Sequence, residues 1–143
     1  LLLTFHPVTL EQKKMKNQVN SIISAVKKTK LNVITTYPNA DVGHDKIIKI
    51  IKKKLLNNKK YRIIKNCGSR IYSNLMQNCL AMVGNSSSGI VEAASFNVPV
   101  INIGTRQDGK FKPKNVTDCK CSKKDIFILS IFPTGKNFFY GIK

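Results

Sequence analysis

Acidic residues are scarce in this chain: 7 Asp and Glu stand against 25 Lys and Arg in 143 residues, a formal net charge of +18 at pH 7. Such an imbalance favours polyanions at low salt. All the basic residues except Arg62, Arg70 and Arg106 are Lys, however, and they fall on the polar faces of helical patterns beside abundant Ile and Asn, as in the product of an AT-rich coding sequence. Tryptophan is absent, and the few aromatic residues do not interleave with Lys into a stacking platform for bases. Nucleic acid is therefore not an expected partner. No apolar run is long enough to span a bilayer, so no membrane segment is expected either. Cys67, Cys79, Cys119 and Cys121 contain no Cys-x-x-Cys pair, and His6 and His44 lie far from Cys119-Lys120-Cys121. That argues against a zinc site and for the free thiols of a cytoplasmic protein. Leu1-Leu2-Leu3 opens the chain without an initiator Met, a basic n-region or a cleavage site. This is not a signal peptide, and the chain reads as one cut from something longer.

What is present centres on Leu80 to Gln107. A short apolar run (Leu80 to Val83) reads as a buried strand. It ends in Gly84-Asn85-Ser86-Ser87-Ser88-Gly89, a turn of small residues and hydroxyls. A helical pattern over Ile90 to Phe96 follows, then Pro99, then a second apolar run from Val100 to Ile103 that closes on Gly104-Thr105-Arg106-Gln107. This is one βαβ unit with a right-handed crossover expected. Its turn aims backbone N–H groups and a helix N-terminus at one point, which favours an anion there. Ser86, Ser87 and Ser88 add hydroxyls suited to phosphate oxygens. Glu92 lies within about one turn of the helix start, where a carboxylate could take both hydroxyls of a ribose. On residue types alone the stretch fits equally well a serine-rich helix cap with a surface Glu92 and a surface Arg106. It is neither a Walker loop, since no Gly-Lys-Ser/Thr follows, nor a Gly-x-Ser-x-Gly elbow.

The rest of the chain alternates strand and helix. Strands are expected at Leu1 to Phe5, at Asn32 to Tyr37 and at Tyr61 to Lys65. Pro7 ends the first and leaves His6 at its carboxyl end. Amphipathic helices are expected over Thr9 to Lys28, with Thr9 as N-cap and Leu10, Met15, Val19, Ile22, Ile23 and Val26 inward, and over Asp45 to Leu56 and Ser69 to Asn78. In the second of these Ile47, Ile48, Ile50, Ile51, Leu55 and Leu56 face the sheet; in the third Ile71, Leu75 and Met76 do. Asp125 to Phe132 fits a short helix or a strand, and the apolar end at Phe138 to Gly141 stays unassigned. The spacing predicts a doubly wound parallel sheet, α/β, whose carboxyl edge collects His6, Asn39, Cys67-Gly68, Ser86 to Ser88 and Arg106. By itself, His6 also fits a strand-end histidine bonded to backbone, and Asn39 a turn residue.

Four blocks carry a family resemblance. Thr4-Phe5-His6-Pro7-Val8-Thr9, Tyr37-Pro38-Asn39-Ala40-Asp41-Val42-Gly43, Gly84 to Ala93, and Pro99 to Gly109 resemble, in this order, the C-terminal half of the UDP-N-acetylglucosamine 2-epimerases. His-Pro-Val-Thr and Asn-Ser-Ser-Ser-Gly are similar to the hydrolysing branch; the non-hydrolysing one carries His-Arg-Arg-Glu and Asp-Ser-Gly-Gly. The resemblance runs from Leu1 to about Asp118, with a ragged echo of a later block at Asn137 to Gly141. It implies a Rossmann-like domain, one domain over residues 1–143, forming the nucleotide-binding half of a GT-B-type two-domain fold. The N-terminal catalytic half and the final helix would lie outside the chain.

The resemblance also assigns roles. His6, as a cation, would stabilise charge on a departing diphosphate, and Arg106 would fork onto phosphate or substrate. Ser86, Ser87, Ser88 and Glu92 would hold the phosphates and ribose of UDP, and Asn39 would line the cleft. No metal or other cofactor is implied, since His6, Arg106 and the helix end can take up the diphosphate charge. The implied reaction turns UDP-N-acetylglucosamine, or a 2,4-diacetamido relative, into N-acetylmannosamine or its counterpart plus UDP, by loss of the C2 proton, anti-elimination and addition of water. The implied partners are a UDP-sugar, the missing N-terminal domain and further copies of the protein in a homo-oligomer. The family's acid–base carboxylates lie in that missing half, and here only Glu92 falls in a matching block. The chain alone is thus expected to bind a uridine nucleotide weakly and turn nothing over. Two alternatives remain: the nucleotide half of a GT-B glycosyltransferase, and an inactive basic fragment that binds only through charge.

Overall fold

A computed structural model describes residues 1–131. Its core is a six-stranded sheet, all parallel, in the order β3-β2-β1-β4-β5-β6. The strands are β1 (Leu2–Thr4), β2 (Val33–Thr36), β3 (Tyr61–Ile64), β4 (Met82–Gly84), β5 (Val100–Ile103) and β6 (Val116–Cys119). The helices are α1 (Met15–Lys28), α2 (His44–Leu55), α3 (Gly68–Gln77), α4 (Ser88–Val91) and α5 (Lys123–Ile131). Apolar residues on successive positions of each strand serve opposite faces, as strand geometry requires. Leu3, Val83 and Ile101 pack with α1, α2 and α5 on one face. Leu2, Met82 and Val100 pack with Met76 of α3 and with Ala93 and Val98 on the other. Ile22 and Ile23 of α1 are each 1% exposed, and burials of that kind contribute about 1.5–3 kcal/mol per side chain. The expected doubly wound α/β sheet is therefore the observed one.

Several local expectations are corrected. The first helix starts at Met15, not Thr9; Thr9–Glu11 is a separate 3₁₀ turn, and Thr9 caps nothing. Leu10, expected inward, is 96% exposed. Glu11 explains the break: one carboxylate oxygen accepts from Thr105 Oγ1 (2.7 Å) in the loop after β5 and the other from Gln18 Nε2, so a tertiary contact holds this turn away from the helix axis. Leu56 and Ile71 face solvent, each beyond or beside the stripe that packs on the sheet. The helix expected over Ile90 to Phe96 is one α-turn, Ser88–Val91, followed by a 3₁₀ turn, Ala93–Phe96. Lys123–Ile131 is helical, which resolves the helix-or-strand choice there. β6 had no expectation, because Val-Thr-Asp-Cys carries too little apolar pattern to stand out. Phe132 and the apolar end at Phe138 to Gly141 lie outside the described residues.

Candidate functional site

Strand order reverses between β1, which continues to β2, and β4, which continues to β5, and ligands of open α/β sheets lie outside the carboxyl ends of the strands at such a point. The loops leaving β1 and β4 are joined there by one buried side chain. Asn85 Oδ1 accepts the backbone N–H of His6 (2.7 Å), and Asn85 Nδ2 donates to the carbonyl of His6 (2.9 Å). The carbonyl of Asn85 in turn accepts from Arg106 Nη1 (3.1 Å) and Gln107 Nε2 (2.8 Å), so the loop after β5 is pinned to the same residue. Asn85 and Gln107 are 1% and 0% exposed. Both stood in blocks singled out by sequence, yet neither was assigned a role. The only signal was their position beside the serines and Arg106.

Gly84 makes the close approach possible. Its φ is +139°, and a Cβ there would lie 1.8 Å from the carbonyl oxygen of Thr4. Beyond it, the backbone N–H groups of Ser86, Ser87 and Ser88 have no acceptor among the described residues. The following helix is a single turn, so the attraction for an anion rests on these local N–H groups rather than on an accumulated helix dipole.

A cleft of about 510 Å³ opens at this edge, within the range of small-molecule sites. His6, Asn39, Ser86, Ser87, Ser88 and Glu92 all line it, together with Cys67 and Gly68 at the start of α3. Arg106 does not line it; its guanidinium is tied to the Asn85 carbonyl, and its charge reaches His6. Ser87 and Glu92 are exposed, and the Glu92 carboxylate has no hydrogen-bond or ion-pair partner among the described residues. Thr4, Thr36 and Tyr72 also line the cleft and were not foreseen. Tyr72 carried a readable signal: an aromatic with a polar tip, one helical turn before the buried Met76.

His6 departs from the cation expected. It is 5% exposed, and its Nδ1 accepts the backbone N–H of Asn39 (2.9 Å). Burial and the nearby Arg106 charge lower its pKa to about 4, against a weaker pull upward from Asp41. The imidazole is neutral at pH 7, with its proton on Nε2, because Nδ1 is occupied as an acceptor. It can donate one hydrogen bond but supplies no positive charge. Lys65 is a cation that does line the cleft, and among the described residues Glu92 is the one carboxylate lining it. The arrangement can hold an anion and a polyol; it does not present an acid–base pair.

Elsewhere, a cavity of about 730 Å³ is lined by the bonded pair Glu11 and Thr105 and by Gly104, Asp108, Cys119 and Cys121, but by none of the residues assigned a role in nucleotide binding. Burial pushes the thiols of Cys119 and Cys121 up to about 12 and about 11, so both stay protonated. Among the described residues no three His, Cys, Asp or Glu side chains gather as a metal would require, and no helix is long and apolar enough to cross a membrane.

Comparison with known proteins adds an independent line. Residues 1–128 match the profile of the UDP-N-acetylglucosamine 2-epimerase family. Over 117 residues, 82% of the chain, the sequence is 40% identical to a UDP-N,N'-diacetylbacillosamine 2-epimerase (hydrolyzing) of Legionella pneumophila. Over 123 residues, 86% of the chain, it is 32% identical to a UDP-N-acetylglucosamine 2-epimerase of Neisseria meningitidis. The chain spans 31% and 32% of the length of these two relatives. In fold it is similar to the UDP-GlcNAc 2-epimerase of Methanocaldococcus jannaschii solved with UDP-GlcNAc and UDP (TM-score 0.71, 21% identity, 95% of this chain and 38% of that one).

Proposed function

The chain belongs to the UDP-N-acetylglucosamine 2-epimerase family, and from that premise we propose that it is the nucleotide-holding domain of a hydrolysing 2-epimerase. The supporting observation is the β1/β4 crevice, where three free backbone N–H groups, the serine hydroxyls and the Glu92 carboxylate converge on one cleft. The diphosphate of UDP lies against Ser86, Ser87 and Ser88, and Glu92 accepts the ribose hydroxyls. Neutral His6 donates through Nε2 to a diphosphate oxygen, and Asn39 holds the imidazole in that tautomer through its backbone N–H. Arg106 adds charge that reaches His6 and, through Asn85, keeps the β4 loop in place.

In the whole protein a second, N-terminal domain closes over this cleft and supplies the carboxylates that remove the C2 proton and assist departure of UDP. Water then adds to the glucal, giving an N-acetylmannosamine-type sugar and UDP as a step toward sialic-acid-type sugars. The enzyme is cytoplasmic and assembles as a homo-oligomer. Both an N-acetylglucosamine and a 2,4-diacetamido sugar fit a domain that grips mainly the nucleotide, and relatives acting on each are similar to this chain.

Calorimetric titration of the chain with UDP, GDP and pyrophosphate at about 0.15 M salt, where loose charge effects are screened, tests the reading. The expected result is UDP-selective binding that Glu92→Ala and Ser87→Ala each weaken roughly tenfold. Equal, salt-sensitive uptake of all three anions would overturn it.

A further inference from the structure

The floor of the cleft holds a run of hydroxyls that crosses four elements. Thr36 Oγ1 meets Thr4 Oγ1 at 2.6 Å; Thr4 Oγ1 meets the Tyr72 hydroxyl at 3.4 Å, the loosest step; Tyr72 meets Ser88 Oγ at 2.9 Å; and Ser88 Oγ meets Ser86 Oγ at 2.8 Å. Thr4, Thr36 and Ser88 are buried, and all five side chains line the cleft. Five hydroxyls joined by four contacts carry one proton more than they have contacts, so one O–H of the run is left to donate to something in the cleft. Which one is set by donor strength. A phenol is a better hydrogen-bond donor than an aliphatic hydroxyl. With Tyr72 donating to Ser88, the surplus proton falls on Ser88 or Ser86, and the cooperative order, in which each hydroxyl accepts one bond and gives the next, has Ser88 donate to Ser86 so that the proton emerges on Ser86 Oγ.

We propose that Tyr72 is a positioning residue whose hydroxyl, acting through Ser88, turns Ser86 into a fixed proton donor for a phosphate oxygen of the bound nucleotide diphosphate. This rests on the nucleotide reading above. Without Tyr72 the serine pair can point its proton either way, and Ser86 meets an anion as donor only part of the time. The opposite orientation would set the Ser86 lone pairs against the anion, so the gain is selectivity for an acceptor at that place.

Tyr72→Phe keeps the ring and removes the one hydroxyl. Folding is checked by circular dichroism, and Ser88→Ala, which cuts the same run one contact later, is the second route should Tyr72→Phe fail to fold. The expected result is a roughly tenfold loss of UDP affinity by calorimetry, as for one hydrogen bond to a charged group. Uridine, which has no phosphate, should bind each variant as it binds the wild type when titrated by NMR. In a Ser86→Ala background Tyr72→Phe should cost less than about twofold, since the group it acts through is gone. Unchanged UDP binding would overturn the proposal. So would an equal loss for UDP and uridine, which marks a role of the ring, or a full effect in the Ser86→Ala background. Pyrophosphate separates the two readings. If the wild type binds pyrophosphate as well as UDP, and Tyr72→Phe weakens both, the nucleotide assignment falls and the hydroxyl run stands. Binding of neither anion overturns both.

Discussion

His6 is held neutral by three effects that act in one direction. Burial removes solvation from the charged form, Arg106 opposes a second positive charge, and the Asn39 N–H needs an unprotonated Nδ1. In the unfolded chain the imidazole titrates at its ordinary value of about 6.5, whereas in the folded chain it does so at about 4. Between those values the unfolded state binds a proton that the folded state does not. The His6 contribution is thus fully present above pH 6.5 and lost as pH falls toward 4, levelling off below that, with roughly 3 kcal/mol at stake. An NMR titration of the His6 ring should show a midpoint near 4, and His6→Gln should flatten this part of the stability–pH curve. A ring midpoint near 6.5 would contradict the geometry. The neutral form was not readable from sequence, because spacing says which strand end carries a histidine but not what solvates it or which N–H faces its Nδ1.

Strand β4 and the turn after it depend on a backbone approach that admits no side chain. Leu3, Val83 and Ile101 align across β1, β4 and β5 in register, and that register brings Gly84 beside Thr4. Gly84→Ala would set a Cβ against the Thr4 carbonyl at a φ of +139°, a strain and clash together expected to cost on the order of 3 kcal/mol. Gly104→Ala is the natural comparison: φ is +74° with nothing within 4 Å of the added Cβ, so only the backbone cost of about 1 kcal/mol applies. Urea unfolding of the two variants should separate them clearly, and equal losses would show that the β1–β4 approach is not what Gly84 serves. Periodicity located these strands to within a residue or two. It failed at Thr9 to Glu11, where a carboxylate reaching Thr105 from a distant part of the chain overrides the helical pattern.

At the scale of the molecule, the shortage of carboxylates meets the architecture of the cleft. Among the described residues Glu92 is the one acidic residue lining it, and the cleft histidine is neutral and committed to a backbone N–H. Each missing general acid or base is worth about 10²–10⁴ in rate. The chain should therefore release no N-acetylmannosamine-type sugar from UDP-GlcNAc above the uncatalysed level, measured by mass spectrometry, even at nucleotide-saturating concentrations. Turnover by the 143-residue chain would place the acid–base groups here after all. Part of the +18 charge lies on the Lys-rich faces of α1 and α2, where it serves solvation of the helices, and Lys65 brings one of these cations to the cleft itself.

Sequence alone determined the alternation of strand and helix, the parallel doubly wound sheet and the gathering of His6, Asn39 and the three serines at one edge. These follow from apolar periodicity and from turn residues, which act over a few positions along the chain. Tertiary structure decided the rest: the protonation of His6, the tie of Arg106 to Asn85 rather than to the cleft lining, the double hold of Asn85 on His6, and the hydroxyl run through Tyr72. Each of these depends on groups between 16 and 79 positions apart meeting within hydrogen-bond distance at buried or half-buried positions. No local pattern encodes such a distance, because strand order and register set it.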